Sequence, residues 1–374
     1  MRLNEYLDSL KGKRVAVIGI GVSNTPLIEL LLGYGISVTA CDRKERAAFG
    51  ELADRLEKWG CTLKLGEDYL QNLDQDVVFR SPGIRPDLPE FETVRARGGV
   101  ITSEMEIFFA VCPCHMLAVT GSDGKTTTTT IIAELLKAAG KTVHVGGNIG
   151  RPLLAEAGKM KEEDWAVLEL SSFQLLTMHK SPEIAVVTNL APNHLNVHKG
   201  MEEYVEAKAN VFLHQSAECK VILNYDNEIT RSFADRAPGH VVFFSRLAPE
   251  QGHVFLQDDA IAIRSAEGAR SVLPIKDIAI PGVHNVENYM AAVAAVEDLV
   301  PDEVIRAVAA AFNGVEHRIE LVREWRGVKY YNDSIASSPS RTIAGLHSFR
   351  QKVILIAGGK DKDFPYDELG PEIV

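Results

Sequence analysis

A chain of 374 residues is too long for one ordinary hydrophobic core, so two or three domains are expected. Its 51 acidic residues outnumber 40 basic ones, and a net charge of -11 argues against nucleic acid as the main partner. The chain is 46% hydrophobic and 24% charged, with no apolar run near the ~18 residues of a membrane span, so it reads as soluble, globular and without a membrane partner. The start, "MRLNEYLDSL", lacks the apolar core of a signal peptide. The odd count of five cysteines points to a reducing compartment, with the cytoplasm as default. Cys112 and Cys114 form a C-x-C with no second pair to complete a metal site, so they read as structural.

In chain order, "RVAVIGI" is a Val/Ile-rich run and hence a buried strand. "TPLIELLLGYG" follows with helical periodicity and a Gly stop, then "SVTACD" and "DVVFRSPGI" as further strands. This alternation predicts a parallel sheet with crossover helices and a ligand at the carboxyl ends of the strands. A second unit runs through "CPCHMLAVTGSDGKTTTTTIIAELLKAAGKTVHVGGNIG", with buried strands at "DWAVLELSS", "EIAVVTNLAPNHL" and "CKVILNYDN". Residues 240–281 read as an antiparallel patch, and "NVENYMAAVAAVEDL" as an amphipathic helix. From "GVEHRIELV" a third unit begins, with a strand "VKYYNDS", a helix "SRTIAGLHSF" and a strand "KVILIAGG".

The stretch "TGSDGKTTTT" carries the clearest chemistry. Gly121 and Gly124 let backbone N–H groups approach an anion at a helix N-terminus, whose partial charge is positive. Lys125 can reach β- and γ-phosphates, and Thr126 can offer a hydroxyl to Mg²⁺. The plain alternative is a β-to-α turn with a surface lysine; β-branched threonines at a helix start argue against it. Downstream, Glu169 ends a buried strand and can hold Mg²⁺, His194 follows another, and Lys208 lies on a helical pattern. Taken singly, these three read as a stray strand-end charge, a structural histidine and a solvated lysine.

Together, "TGSDGKTTTT", "LELSSFQL", "NHL", "EAKANVF", "GVHNVEN", "EHRIE" and "NDSIASSP" occur in the order found in the Mur ligases, which the chain resembles over essentially its whole length. "LELSSFQL", "SNTPLI", "SPGI" and "GGNIG" are most similar to the branch that adds D-glutamate. The resemblance implies a three-domain α/β architecture. Residues 1–110 would form a Rossmann-like UDP-sugar-binding domain, 111–314 a P-loop ATPase-like α/β domain, and 315–374 the start of a C-terminal Rossmann-like domain for the amino acid. It implies ATP-dependent ligation of D-glutamate to UDP-N-acetylmuramoyl-L-alanine through an acyl phosphate, a cytoplasmic step of peptidoglycan synthesis serving cell shape and division, carried out by a monomer.

It further implies that Lys125, Lys208 and His194 are catalytic, and that Gly121, Ser122, Asp123, Gly124, Lys125, Thr126 and Thr127 bind ATP with Asn285, Asn288, Arg318 and Asp333. Two Mg²⁺ ions would be held by Thr126, Glu169, His194 and a Lys208 carbamylated by CO₂. For the UDP sugar, Gly21, Val22 and Ser23 would cradle the diphosphate, Asp42 and Arg43 would lie at the uracil, Ser81, Pro82 and Gly83 would close the pocket, and Asn148 would reach the muramoyl part.

The chain departs from the family at Ile335, where a lysine is usual, at Ser337 for a threonine, and at Asn193 for an aspartate. Lys362 is a further D-glutamate candidate. The family's D-glutamate contacts extend past Val374, so this chain is expected to be a truncated form that ligates weakly or not at all. The alternatives are another Mur ligase, a folylpolyglutamate synthase-like enzyme, or a non-catalytic nucleotide-binding fragment.

Overall fold

Val15–Ile18 (β1), Val38–Asp42 (β2), Thr62–Leu65 (β3), Val77–Arg80 (β4) and Val100–Thr102 (β5) form a parallel sheet in the order β3-β2-β1-β4-β5. The computed structural model describes residues 1–192, 197–336, 338–349, 351–359 and 366–373. β1 and β4 are buried at every position, as expected of central strands covered on both faces. The strand order reverses beside β1, so the loops after β1 and β4 border one crevice at the carboxyl edge. They touch there: a Cβ on Gly19 would stand 2.9 Å from Ser81 Cβ.

The second sheet contains His115–Thr120 (β6), Val143–Gly147 (β7), Trp165–Glu169 (β8), Ile184–Val187 (β9), Lys220–Asn224 (β10), His240–Ser245 (β11), Val254–Gln257 (β12), Ala260–Ser265 (β13) and Gly268–Pro274 (β14). Its order is β14-β13-β12-β11-β10-β9-β6-β8-β7. β6 sits between β8 and β9, so three carboxyl ends meet at one switch point. Residues 240–281 were expected to be antiparallel. In fact β11 runs parallel to β10 and β12, and only β12, β13 and β14 pair antiparallel, because just these strands are joined by tight turns rather than crossovers.

The helix Val283–Val296 does not have the two-faced character expected of it. Asn285, Val286 and every residue from Asn288 to Val296 are buried. It packs on the sheet through β9 to β12 on one side and on the helix Lys125–Ala138 on another, so beyond Glu287 no face is left for water, and only its start, at Val283, stays exposed. The alanines at 291, 292, 294 and 295 let those neighbours come close.

Glu320–Trp325 (β15) and Val328–Asn332 (β16) form an antiparallel hairpin, followed by the helix Pro339–Leu346. The strand expected at "KVILIAGG" is absent from residues 352–359. A strand needs a neighbour within ladder distance; here β15 and β16 pair with each other, and Ile354 and Ile356 are over nine-tenths exposed.

The two large sheets share one apolar cluster, in which Val17 and Phe79 of the first join Ala118 and Leu168 of the second. Across the same boundary, buried Arg80 donates to Thr177 Oγ1 at 2.6 Å. Among the described residues no helix is long and apolar enough to cross a membrane.

Candidate active site

The loop after β6 is built for close backbone approach. Gly121 has φ 148° and Gly124 φ 79°, and a Cβ would meet Thr188 at the first and Asn288 at the second. Gly124 caps the helix Lys125–Ala138, whose first-turn N–H groups have no intrahelical acceptor and are the kind of donors that can take an anion. The loop residues divide into two roles. Ser122 N–H donates to Asn189 O (2.8 Å), and its hydroxyl bonds Ala191 O and Tyr204 Oη (both 2.9 Å). Asp123 N–H donates to Asn189 Oδ1 (3.0 Å), while Thr188 donates to Asp123 O (2.6 Å). Ser122 and Asp123 thus pin the loop to the end of β9, and Gly124 to Thr127 are left to face an anion. Lys125 Nζ folds over the loop onto Gly121 O (2.9 Å) and Ser122 O (3.0 Å). Burial lowers its pKa, against the opposing pull of Glu169 and Asp123.

Glu169 ends β8 beside Val119 of β6 and is buried. Asn148 Nδ2 donates to its Oε1 at 2.6 Å, while Oε2 is buried and has no hydrogen-bond partner among the described residues. Such an orphaned buried oxygen is free to ligate a cation. Asn148, the residue expected to reach the muramoyl part, also holds this carboxylate in place. Lys208 is also buried, its Nζ donating to Thr120 Oγ1 (3.1 Å) and Gly121 O (2.8 Å) and lying 5.0 Å from the Tyr204 ring centroid. Burial, then the charge of Lys125, holds its pKa well below the usual lysine value. Among the described residues no three His, Cys, Asp or Glu side chains gather into a cage. His194, Asn193, Ser337 and Lys362 lie outside the described residues.

Next to the loop, Asn285 and Asn288 lie one helical turn apart. Asn288 Nδ2 donates to Asn285 Oδ1 (3.1 Å), and Thr128 donates to Asn288 Oδ1 (3.2 Å). A cleft lined by Thr127, Pro281, His284, Asn285 and Arg318 opens there. Arg318 comes from the segment before β15, its Nε buried without a partner among the described residues, between His317 (φ 64°) and Ile319 (φ 45°). Burial lowers its pKa, as does Arg341 nearby. Asp333 accepts from Ile319 N–H at 3.2 Å, and burial raises its pKa.

At the first crevice, Gly21, Val22 and Ser23 are exposed on the loop after β1, and Ser81, Pro82 and Gly83 follow β4. Asp42 ends β2 and accepts from Ile20 N–H (2.7 Å) and Lys44 N–H (2.9 Å), so its carboxylate shapes that loop, with Arg43 beside it. Sequence reasoning missed Thr188 and Asn189, and the pairing of Arg85 with Glu203. Thr188 and Asn189 carried the same mark as Glu169, polar residues directly after a buried strand. Arg85 and Glu203 are 118 positions apart, and nothing in either segment names the other.

Residues 119–296 match the Mur ligase middle domain. The UDP-N-acetylmuramoylalanine–D-glutamate ligase of Acetivibrio thermocellus is 55% identical over 373 residues, which is 100% of this chain and 80% of that relative. The ligase of the same name from Clostridium novyi is 49% identical over 370 residues, 99% of this chain and 80% of the relative. In fold, the chain is similar to a murein peptide ligase from Psychrobacter arcticus (TM-score 0.57, 20% identity, 90% of this chain and 75% of that one). It is likewise similar to UDP-N-acetylmuramate–alanine ligase from Thermotoga maritima (TM-score 0.55, 21% identity, 90% and 77%). With a glycine loop at a helix N-terminus, a buried carboxylate and a buried lysine at one switch point, and relatives this similar along its whole length, the chain belongs to the Mur ligase family, on its D-glutamate-adding branch.

Proposed function

We infer that this chain joins D-glutamate to UDP-N-acetylmuramoyl-L-alanine with cleavage of ATP, a step in making peptidoglycan precursor. The observation that carries the ATP half is the unpartnered Glu169 oxygen beside the glycine loop; the choice of amino acid and sugar nucleotide rests on the names of the relatives. The alanyl carboxylate attacks the γ-phosphorus, the bond to the bridging oxygen breaks, and ADP leaves. The D-glutamate amine then attacks the acyl phosphate carbonyl. The carbon–oxygen bond to phosphate breaks, inorganic phosphate leaves and the amine proton passes to solvent.

The first half brings an anion toward an anion, so the chain's work is positioning and charge neutralisation. The N–H groups of Gly124 to Thr127 orient the phosphates, and Lys125 unfolds from its own loop carbonyls to meet them. Asn285, Asn288 and Arg318 frame the nucleotide, with Asp333 holding the Ile319 backbone next to Arg318. Magnesium, when bound, would neutralise phosphate charge, held by Thr126 and Glu169 and, for a second ion, by His194 and a carbamylated Lys208. A buried lysine of lowered pKa supports that modification, because only the neutral amine adds CO₂. The loops at 21–23 and 81–83, with Asp42 and Arg43, take the UDP portion. Residues 1–110, 111–314 and 315–374 are assigned to UDP-sugar, ATP and amino acid respectively, in a cytoplasmic monomer.

Calorimetric titration with UDP-N-acetylmuramate, UDP-N-acetylmuramoyl-L-alanine and the dipeptide form tests the reading, together with amino-acid-dependent ADP release. The alanyl form should bind tightest, and D-glutamate should be the amino acid that stimulates. Tighter binding of another precursor, or stimulation by another amino acid, would assign the chain to a different branch.

A further inference from the structure

A chain of polar contacts runs between the two crevices and plays no part in the reaction above. Arg85, just past the Ser81–Gly83 loop, grips Glu203 with both terminal nitrogens at 2.8 and 3.0 Å and donates to Val197 O at 2.9 Å. Asp87 pairs with Arg85 and with Lys199. Glu203, held down at about 2 mainly by Arg85, contacts His198 Nδ1 at 3.2 Å. His198 Nε2 lies 2.9 Å from Ser172 Oγ, three residues past Glu169. The imidazole is buried and stacked on Phe173, with ring centroids 5.1 Å apart, and packs edge-on to Tyr204 at 5.4 Å. Tyr204 in turn bonds Ser122 of the phosphate loop.

Glu203 fixes the proton on one side of this histidine, and burial decides the other. A carboxylate only accepts, so Nδ1 carries the proton and donates to Glu203, while Nε2 of the neutral ring accepts from Ser172. Burial favours that neutral form. One side chain therefore touches the arm to the sugar-nucleotide loop, the turn after the Glu169 strand and the tyrosine that pins the phosphate loop.

We propose that His198 is a positioning residue that couples the sugar-nucleotide pocket to the ATP pocket through Arg85–Glu203 on one side and Ser172 and Tyr204–Ser122 on the other. Ligand ordering of the 81–87 loop fixes Arg85, and through it Glu203 and His198, so the second ligand meets a site whose ordering cost is already met. By linkage the effect is reciprocal. The proposal rests on the functional reading above, since it takes the two ligands from it.

The test measures the affinity of the whole chain for UDP-N-acetylmuramoyl-L-alanine with and without a non-hydrolysable ATP analogue and Mg²⁺. The expected enhancement by the analogue is about fivefold or more. His198→Phe keeps the stack and removes both hydrogen bonds, and should bring the enhancement toward unity. Its affinity for the analogue alone should stay within about a factor of two. His198→Gln, able to donate and accept, should recover part of the enhancement. Arg85→Met, at the more exposed end of the chain of contacts, should act like His198→Phe, and keeps the test open should that variant fail to fold. Wild-type protein that binds both ligands without enhancement, or enhancement unchanged in these variants, overturns the coupling. Failure of the wild-type chain to bind either ligand would instead strike the functional reading.

Discussion

Gly124 carries the anion site through what it lacks. At φ 79° any other residue is in the left-handed region, and a Cβ there would press on Asn288. Gly124→Ala should cost about 1–2 kcal/mol of stability from the backbone alone. It should also weaken ATP more than tenfold, roughly 1.4 kcal/mol or more, by moving the first helical N–H groups. Denaturant unfolding and a nucleotide titration read the two effects separately, and an unchanged nucleotide affinity would remove the loop from the site. Lys208 makes a second prediction at this scale. With ¹³C-bicarbonate, a carbamate carbon signal should appear in wild-type protein and vanish in Lys208→Met, and ligase activity should fall in CO₂-free buffer and return with bicarbonate. A wild-type spectrum with no such signal would leave the metal ligands one short. Taken singly, the Lys208 segment suggested a solvated lysine, yet Tyr204, Ala207 and Lys208 share an inward stripe at helical spacing, a legible sign of burial. Glu169 was legible as a carboxylate ending an apolar run. The Asn148 contact that orients it was not, because a 21-residue separation across two strands leaves no periodic trace.

Among the elements, parallel strands buried on both faces announced themselves, since "RVAVIGI" and "DWAVLEL" are continuous apolar runs bounded by turns. The helix Val283–Val296 showed its helical period but not its surroundings: alanine is equally at home in a solvated face and under a closely packed neighbour, and composition does not decide between them. The structure puts Ala292 at 0% exposure between the second sheet and the helix Lys125–Ala138. Ala292→Leu should therefore destabilise by about 1–3 kcal/mol through overpacking. Because Asn285 and Asn288 ride on the same helix, nucleotide binding should weaken with it. Stability equal to wild type in urea would mean that the helix has room to shift. The strand expected at 352–359 failed for a related reason. A continuous run of Val, Ile and Leu states that a segment suits a sheet, and the sheet itself must be supplied by other segments.

At the scale of the whole molecule, two α/β units share one apolar cluster, and their boundary holds a buried carboxyl. Glu104 opens the helix Glu104–Val111, and its Oε1 accepts from Leu154 N–H at 2.8 Å across that boundary. Burial raises its pKa from 4.5 to about 7, against the lowering effect of the Leu154 and Leu153 N–H groups. The sign follows from proton binding. Between about pH 4.5 and 7 the folded chain holds a proton that the unfolded chain has lost, so the stability this group contributes is present below pH 4.5 and is lost as pH rises through 7. The full loss is about 3 kcal/mol as an upper bound. Glu203 and Asp87 work the other way, their pKa values being lowered by Arg85, and their contribution is lost only as pH falls below the ordinary carboxylate range. Comparing wild type with Glu104→Gln isolates the buried group, since the other carboxylates titrate alike in both. Gln keeps an oxygen for Leu154 N–H and never ionises. The variant should match wild type near pH 4.5 and gain stability over it steadily up to about pH 8, read from urea midpoints across that range. Parallel curves would mean that Glu104 ionises freely in the folded protein, and that the boundary between the two units admits water at that point.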